Sequence, residues 1–444
     1  MSSTRISRRS FLKGALAVPG AMAALGGTGG PGGTSALAQT AAPSRPKVTL
    51  VVETYQWEEA GFKDWMNWIN AQLTAKFPHI SVEKRSAPST QYWDKLIVKG
   101  QTGTLGDVFQ LSGPILEQFL AMGGVEPVNK FLDVPGAQKL MPSALWKIVS
   151  RQDQLMGVPT LTTTNQIMIY NTKHFEAAGV TMPGPGKQEE WLANTVKLTK
   201  APDRYGVVVH TIATGQFMED LRKFIIAWNT QFSLPDGKPT CNAPEVVEAI
   251  AFYRKIVKSG VTPIGTEKTI YRPMVWDGKI SQLLDGSWVF GMAKNSNAKA
   301  LPELSAAPLP FPAQRGNLTF NMYCLYAKSK VKDAAAEWLK IAWSEEGAIK
   351  FAEFTGSPHA HKVTLPPALL KSMPWLPAYQ KVLATDPVAD PNPGFALVRS
   401  EADDILIRWA ARAVITGEVS AQDACEGMQR EMERLSKKYD GKTF

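Results

Sequence analysis

The chain has 444 residues, of which 44% are hydrophobic and 20% charged, and a formal net charge of +9. This length predicts two or three domains with sizeable cores, and the composition is ordinary for a globular protein. Four of the cations lie in the first 38 residues and the rest form no basic block, which disfavours nucleic-acid binding. Cys241, Cys324 and Cys425 lie far apart and form no CxxC pair, so we expect no structural zinc site and at most one disulfide.

The N-terminal segment has the pattern of an export signal. The stretch "SRRSFLK" at residues 7–13 resembles a twin-arginine signal, and Ala36-Leu37-Ala38 fits a cleavage site before Gln39. We therefore predict a twin-arginine-type signal peptide over residues 1–38, a flexible leader over 39–46 and an exported, soluble, periplasmic mature protein. No cysteine follows the apolar run and no other stretch approaches 18 apolar residues, so we expect neither a lipid anchor nor a membrane span.

The mature chain opens with alternating strand and helix patterns. The stretches "KVTLVVET", "ISVEKR" and "GDVFQLSG" predict strands, and "NQIMIYN" and "RYGVVVHT" predict two more. Between the first two, "GFKDWMNWINAQLTAKFP" places Phe62, Trp65, Ile69 and Leu73 at helical spacing. This alternation predicts βαβ units and mainly parallel sheets flanked by helices.

Longer helical patterns follow in the second half. "APEVVEAIAFYRKIVKSG" predicts a helix with Pro244 in its first turn and Gly260 just beyond its end. "KDAAAEWLKIAWSEEGAIKFAEFTG" predicts one helix or two, divided near Ser344 and closed by Gly356. "EADDILIRWAARAVITGE" and "SAQDACEGMQREMERLSKKY" predict the last two helices.

Three stretches rich in proline and glycine divide these patterns. They are Gly157-Val158-Pro159, residues 306–317 and residues 354–362. If each carries the chain from one lobe to the other, both lobes are discontinuous. We therefore predict an N-terminal lobe of residues 47–160 plus 310–355 and a C-terminal lobe of residues 161–309 plus 356–444.

The order of the segments is also characteristic. It runs through "DVFQLSGPILEQFLAMGGVEPVNKFL", "GVPTLTTTNQIMIYNTKHFEAAGVTMP", "DGKPTCNAPEVVEAIAFYRKIVKSGVTP" and "GKISQLLDGSW". Over residues 47–435 this order resembles the extracytoplasmic solute-binding proteins of ABC transporters, in the sugar-binding, maltose-binding-like group. One departure is "GPGKQEEW", which stands where that family usually has Thr-Trp-Asp-Glu.

The resemblance implies a fold and partners. The fold is an α/β, two-lobed periplasmic-binding-protein-like (type II) fold with the ligand cleft between the lobes. The partners that the resemblance implies are a small-molecule solute, which in this group is a sugar, and permease subunits with a separate ATPase. We expect a monomer without a cofactor.

Catalytic and metal motifs are missing from the sequence. There is no Gly-x-Ser-x-Gly elbow and no P-loop, which disfavours an enzyme. The adjacent carboxylates Glu58 and Glu59 are typical of a solvated face. His359 and His361 have no carboxylate or cysteine nearby, so we expect no metal there.

Three of the 13 tryptophans stand at positions unlike those of the core. Trp57 follows the first strand, Trp228 ends a helix, and Trp288 follows an amphipathic helical stretch and precedes a predicted strand over residues 289–292. A flat ring can cover the apolar face of a sugar, and about 100 Å² of such contact contributes on the order of 2–3 kcal/mol. We predict that all three bind the ligand and that the Asp285-Gly286-Ser287 turn lifts Trp288 out as a stacking platform.

The hydroxyl groups of a sugar also need polar partners. Side chains at predicted strand ends can supply them. The sequence predicts as further ligand-binding residues Glu58, Gln110, Ser112, Asn165, Asn321, Tyr323 and Arg399. The function predicted is capture of a carbohydrate-like solute by hinge closure. Three alternatives stay open: the same fold binding a polyamine, glycerol phosphate, polyol or osmolyte; an exported polysaccharide-cleaving enzyme; and a scaffold or adhesin. The opposite charges of Glu58 and Arg399 do not decide the charge of the solute.

Overall fold

A computed structural model of the protein describes residues 45–234, 237–383, 388–389 and 398–439. The predicted signal peptide and most of the predicted leader lie outside the described residues. The strands are β1 (Val48–Glu53), β2 (Ile80–Arg85), β3 (Val108–Ser112), β4 (Val125–Glu126), β5 (Ser150–Arg151), β6 (Gln154–Leu155), β7 (Val158–Thr163), β8 (Ile167–Asn171), β9 (Gln282–Leu284), β10 (Leu304–Pro308), β11 (Asn317–Tyr326) and β12 (Val388–Ala389).

Helices surround these strands. They are α1 (Phe62–Lys76), α2 (Ser89–Thr102), α3 (Leu116–Ala121), α4 (Val134–Lys139), α5 (Ser143–Val149), α6 (Thr172–Ala178), α7 (Gln188–Leu198), α8 (Gly215–Ala227), α9 (Pro244–Lys258), α10 (Lys268–Trp276), α11 (Trp288–Ser296), α12 (Lys332–Trp343), α13 (Glu345–Thr355), α14 (Pro367–Lys371), α15 (Leu376–Leu383), α16 (Arg399–Ala411) and α17 (Ala421–Tyr439). Within the described residues, none of these helices is both long enough and apolar enough to cross a membrane.

The main sheet has mixed strand directions. β1 pairs in parallel with β2 and β3, and β12 pairs in parallel with β11. β11 runs antiparallel to β3, β4 and β7. The prediction of mainly parallel strands is therefore correct for β1–β3 and for β11–β12, and wrong for the pairings of β11 with β3, β4 and β7. Helices α1 and α2 connect β1 to β2 and β2 to β3, which enforces parallel pairing, whereas β11 enters from another sheet without such a crossover.

A second sheet has the order β10-β8-β9, with both pairings antiparallel. β8 confirms the strand predicted from "NQIMIYN". The stretch "RYGVVVHT" forms only isolated bridges, from Tyr205 to Ile280 and from Val208 to Leu283. Residues 282–284, predicted as part of a helix, form β9. The apolar spacing of that stretch suits a helix as well as a strand, and pairing with β8 selects the strand.

Three hydrophobic cores fill the spaces between these layers. The first lies around the main sheet and draws on residues 50–161 and 318–360, including the fully buried Trp65 and Trp338. The second lies around α8, α9, α16 and α17. The third lies around β8, β9, α11 and α15. Trp288 is half-buried and packs against both the first and the third core.

The boundary between helices α12 and α13 and the end of α13 follow the capping residues in the sequence. They separate at Ser344, whose side chain accepts a hydrogen bond from the Gly347 N–H at 2.9 Å and caps α13. Gly356 ends α13 with φ +68°, a left-handed conformation that favours glycine. The predicted division near Ser344 and closure at Gly356 are confirmed.

The chain passes three times between elements of the first core and elements of the other two cores. The segments that make these passages are residues 164–166, 309–316 and 356–366, and we call them the crossing segments. The side chain of Asn317 accepts hydrogen bonds from the Thr164 hydroxyl at 2.9 Å and the Asn165 N–H at 3.1 Å. These bonds tie the first crossing segment to the end of the second.

Candidate functional site

A cavity of about 780 Å³ lies between elements of the first core and elements of the other two. One wall comes from the loop after β1, from α2 and from the ends of β3 and β11. The opposite wall comes from α8, α10, α11 and the first turn of α16. The first wall includes Tyr55, Glu59, Trp93, Ser112, Thr319 and Asn321, and the second includes His210, Glu219, Arg222, Lys268, Arg272, Trp288, Arg399 and Asp403.

Five of the predicted site residues line this cavity: Ser112, Asn165, Trp288, Asn321 and Arg399. Ser112 ends β3 and faces Asn321 across the antiparallel β3–β11 pair. Asn165 lies in the first crossing segment, and Arg399 begins α16. The structure thus brings together residues that are up to 287 positions apart in the chain.

The other predicted residues do not line the cavity. Trp57 and Trp228 are buried in the first and second cores. The indole N–H of Trp57 donates to the carbonyl of Val52 at 3.0 Å, because the 3-10 turn over Tyr55–Glu58 directs the ring back onto the sheet. Trp228 packs against the ring of Phe311 at a centroid distance of 5.4 Å.

Gln110, Tyr323 and Glu58 also lie away from the cavity. Gln110 and Tyr323 face each other within the main sheet and are fully buried. The Tyr323 hydroxyl donates to Gln56 at 2.7 Å, which satisfies it inside the core. Glu58 is exposed beside the cavity wall without joining it. We leave these residues out of the site proposed below.

The sequence prediction missed an aromatic pair on the first wall. Tyr55 contacts Trp93 edge to face at a centroid distance of 5.5 Å, and both line the cavity. The Tyr55 hydroxyl accepts a hydrogen bond from the amide of Asn321 at 3.3 Å. Burial raises the pKa of Tyr55 well above its ordinary value, so the hydroxyl stays protonated. Tyr55 lies in the stretch "ETYQWEEAGF", where the position after the first strand pointed to Trp57 instead.

Trp288 lines the cavity in a conformation that differs from the prediction. It is the first residue of α11, not the start of a strand, and its ring folds back over the turn. A Cβ atom at Gly286 would lie 2.2 Å from the six-membered ring, so only glycine fits beneath it. The guanidinium of Arg272 lies 5.8 Å from the ring centroid. The Trp288 ring therefore packs on the Asp285-Gly286-Ser287 turn and does not project from it as a platform.

Two ion pairs stiffen the second wall. Arg272 donates to Asp285 through two nitrogens, at 2.8 and 3.1 Å. Burial would raise the pKa of Asp285, but Arg272 outweighs it and holds that pKa well below the ordinary range. Lys268 contacts Glu219 at 3.0 Å. Burial opposes ionisation there too, but the Lys268 charge prevails and lowers the pKa of Glu219 to about 2.

A further cluster lies at the start of α16. Asp403 forms salt bridges with Arg222 and with Arg399, the latter at 3.4 Å. Because Arg222 belongs to α8, this cluster fixes α16 against α8. It brings three charged groups to the edge of the cavity.

Several buried polar atoms at the cavity have no hydrogen-bond partner among the described residues. They are the indole N–H of Trp288, the side-chain oxygen of Asn165 and Nδ1 of His210. Burial lowers the pKa of His210, which favours the neutral ring. Buried polar atoms are normally paired, so these three are suited to bind polar groups of a ligand.

A family comparison gives the class of this protein. A model of the bacterial extracellular solute-binding proteins matches residues 68–378, about 70% of the chain. The chain belongs to this family. This match confirms the functional class, a solute-binding protein, that was predicted from the order of the segments. Among its described residues, no group of three or more His, Cys, Asp or Glu side chains is arranged to hold a metal ion.

Solved structures resemble this solute-binding protein over most of their length. The maltose-bound MalE3 protein of T. maritima has a TM-score of 0.76 at 18% identity, covering 87% of this chain and 100% of its own. A solute-binding protein of Agrobacterium vitis S4 with bound D-mannitol has a TM-score of 0.75 at 18% identity, covering 88% and 99%. One from Thermotoga lettingae TMO with α-D-tagatose has a TM-score of 0.73 at 21% identity, covering 88% and 100%. The predicted α/β two-lobed binding-protein fold is confirmed.

Proposed function

We propose that this protein is the exported, periplasmic substrate-binding component of an ABC importer. It captures a carbohydrate-like solute in the cavity and delivers it to a membrane permease that works with a separate ATPase. It acts as a monomer and catalyses no reaction. The observation that carries this proposal is the two-sided cavity, whose walls combine aromatic rings with polar groups left without partners.

The chemistry of the walls supports a polyhydroxylated solute. A sugar or polyol presents apolar C–H surface and a rim of hydroxyl groups. Tyr55, Trp93 and Trp288 offer ring surface, while Asn165 and Asn321 offer amide donors and acceptors. Structural relatives bound to maltose, D-mannitol and α-D-tagatose support the same class.

Capture proceeds by hinge closure between two lobes, residues 47–160 plus 310–355 and residues 161–309 plus 356–444. The crossing segments serve as the hinge. A solute that contacts both walls stabilises the closed form, because only that form makes both sets of contacts. Trp288, which packs against two cores, lies where the lobes meet.

A thermal-shift screen of residues 39–444 tests this function. The panel contains neutral sugars, polyols, sugar acids, glycerol phosphates, polyamines and osmolytes. A solute that binds only the folded protein stabilises it by about 2.7 kcal/mol at a hundredfold excess over Kd, which raises Tm by a few degrees. We expect Tm to rise with members of the sugar and polyol classes. The absence of any shift, or release of reducing ends from oligosaccharides, would contradict solute capture.

A further inference from the structure

The cations on the second wall are engaged by protein carboxylates. Arg272 is held by Asp285 through two hydrogen bonds at 2.8 and 3.1 Å. Lys268 contacts Glu219 at 3.0 Å. A solute anion that approached either cation would have to share it with a carboxylate already in place. Neither group therefore offers an anion the full attraction of a positive charge.

The two remaining cations of the cavity share a single carboxylate. Arg222 and Arg399 both form salt bridges with Asp403, at the far edge of the site. His210 adds no positive charge near neutral pH, because burial lowers its pKa. Every cation that lines the cavity in the described part of the chain thus has a carboxylate partner.

Two of the carboxylates that line the cavity form no salt bridge with a described residue. Glu59 lines the first wall, is half-buried, and forms no salt bridge or side-chain hydrogen bond with any described residue. Burial raises the pKa of Glu59, and the charges of Arg272 and Lys268 oppose that rise without contacting the carboxylate. Glu267 is similarly unpaired but lies exposed at the rim. Glu59 is therefore the carboxylate inside the cavity that no described cation contacts.

We propose that the cavity selects its solute by charge, accepting neutral polyhydroxylated compounds and amino sugars and rejecting sugar acids and sugar phosphates, with Glu59 as the specificity-determining residue. This inference rests on the proposed solute-binding function. The Glu59 carboxylate accepts hydrogen bonds from hydroxyl or ammonium groups, which are charge-assisted and stronger than neutral ones. An anionic solute meets like charge at Glu59 and finds only cations that are already paired. It therefore loses hydration without compensation.

The test compares matched derivatives on one carbon skeleton. For each neutral sugar or polyol in the panel, Kd is measured by isothermal titration calorimetry alongside its amino derivative and its uronate or phosphate. We expect the anionic derivative of a bound solute to bind at least about tenfold more weakly than the neutral compound. An anionic derivative that binds as tightly as its neutral counterpart would overturn the proposal.

Two variants assign the selection to Glu59. Glu59→Gln keeps the size of the side chain and removes its charge, and we expect it to narrow the ratio between anionic and neutral Kd values by about tenfold. Glu58→Gln makes the same change at the adjacent, exposed residue outside the cavity and is expected to leave that ratio unchanged. An equal ratio in the Glu59→Gln variant and the unmodified protein would overturn the role of Glu59.

The outcomes also separate this proposal from the proposed function. If only anionic solutes bind, the proposed selection by charge is wrong but the proposed solute-binding function is supported. Binding of no compound of any charge would remove both. Circular dichroism and the melting curve of each ligand-free variant show whether the substitution preserved the fold.

Discussion

At the scale of single residues, Trp288 combines two tasks that the sequence could not separate. Its ring lines the cavity, and it also packs on the first and third cores. The sequence suggested a platform because a large ring follows a turn of small residues. The structure shows why the turn is small: the ring lies on Gly286.

Replacement of Trp288 tests the binding half of this role. We expect Trp288→Ala to weaken binding of the solute found in the screen by about thirty- to a hundredfold, because an aromatic contact of that kind contributes on the order of 2–3 kcal/mol. The measurement is Kd by titration calorimetry. Trp409→Ala is the control, since Trp409 is also half-buried but donates to Glu431 among the last helices. An unchanged Kd for Trp288→Ala would remove this residue from the site.

The candidate site could be predicted only in part from the sequence. Ser112, Asn165 and Asn321 were found because polar residues at strand ends tend to reach a cleft. The prediction named Glu58 and missed Glu59. The 3-10 turn determines which of these two neighbours faces the cavity, and the spacing of apolar residues in the sequence does not reveal the orientation of such a short turn. Arg272 and Lys268 were missed because α10 carries no motif that marks one face as a wall.

At the scale of elements, one hydroxyl links three separate segments. Ser287, in the turn before α11, contacts the Thr163 hydroxyl at 3.1 Å and donates to the Ser357 hydroxyl at 2.9 Å. Thr163 ends β7 before the first crossing segment, and Ser357 lies in the third. All three side chains are buried. The turn that positions Trp288 is thereby attached to the proposed hinge.

Ser287→Ala should therefore destabilise the protein. It leaves two buried hydroxyl groups without this partner, and such a loss costs about 1–3 kcal/mol. The measurement is the free energy of unfolding from urea denaturation. Ser372→Ala serves as the control, because the Ser372 hydroxyl is exposed and donates only to Leu369 within its own turn. Equal stability of the two variants would show that the three-hydroxyl contact contributes nothing.

The element predictions succeeded where the signal is local. The strands β1, β2, β3 and β8 and the break between α12 and α13 depend on side-chain alternation and capping, which neighbouring residues specify. The direction of β11 and the strand β9 depend on partners more than a hundred residues away in the chain. No window of sequence contains that information.

At the scale of the whole molecule, the order of segments predicted the two-lobed fold better than any single motif. That order reflects a chain that passes repeatedly between the first core and the other two, and the third passage carries a buried histidine. His359 contacts the rings of Trp65, Trp343 and Phe351. It pairs by an isolated bridge with Leu161 of β7. Because His359 packs among these aromatic rings, a positive charge on it would be buried in the first core and would destabilise it.

The pH dependence of stability should reveal this effect. Burial, aided by the neighbouring His361, lowers the pKa of His359 to about 3. Its Nδ1 accepts the His361 N–H at 3.0 Å, so protonation would also break a hydrogen bond. Between about pH 6.5 and 3 the unfolded chain binds a proton that the folded chain does not, so stability falls with falling pH by up to about 1.4 kcal/mol per unit.

The His359→Gln variant should reduce this slope, because glutamine has no proton to gain in that range. His174 and His210, whose pKa values burial also lowers, keep part of the slope in both proteins. The measurement is the free energy of unfolding at pH 7, 6, 5 and 4, since only its dependence on pH separates titration from a general loss of packing. His79→Gln, at a half-exposed position, is the control and should keep the original slope. The depressed pKa values of Glu219 and Asp285 add a separate loss below about pH 4.5, which both variants share. A slope in His359→Gln equal to that of the unmodified protein between pH 6.5 and 4.5 would show that His359 titrates as freely in the folded chain as in the unfolded one.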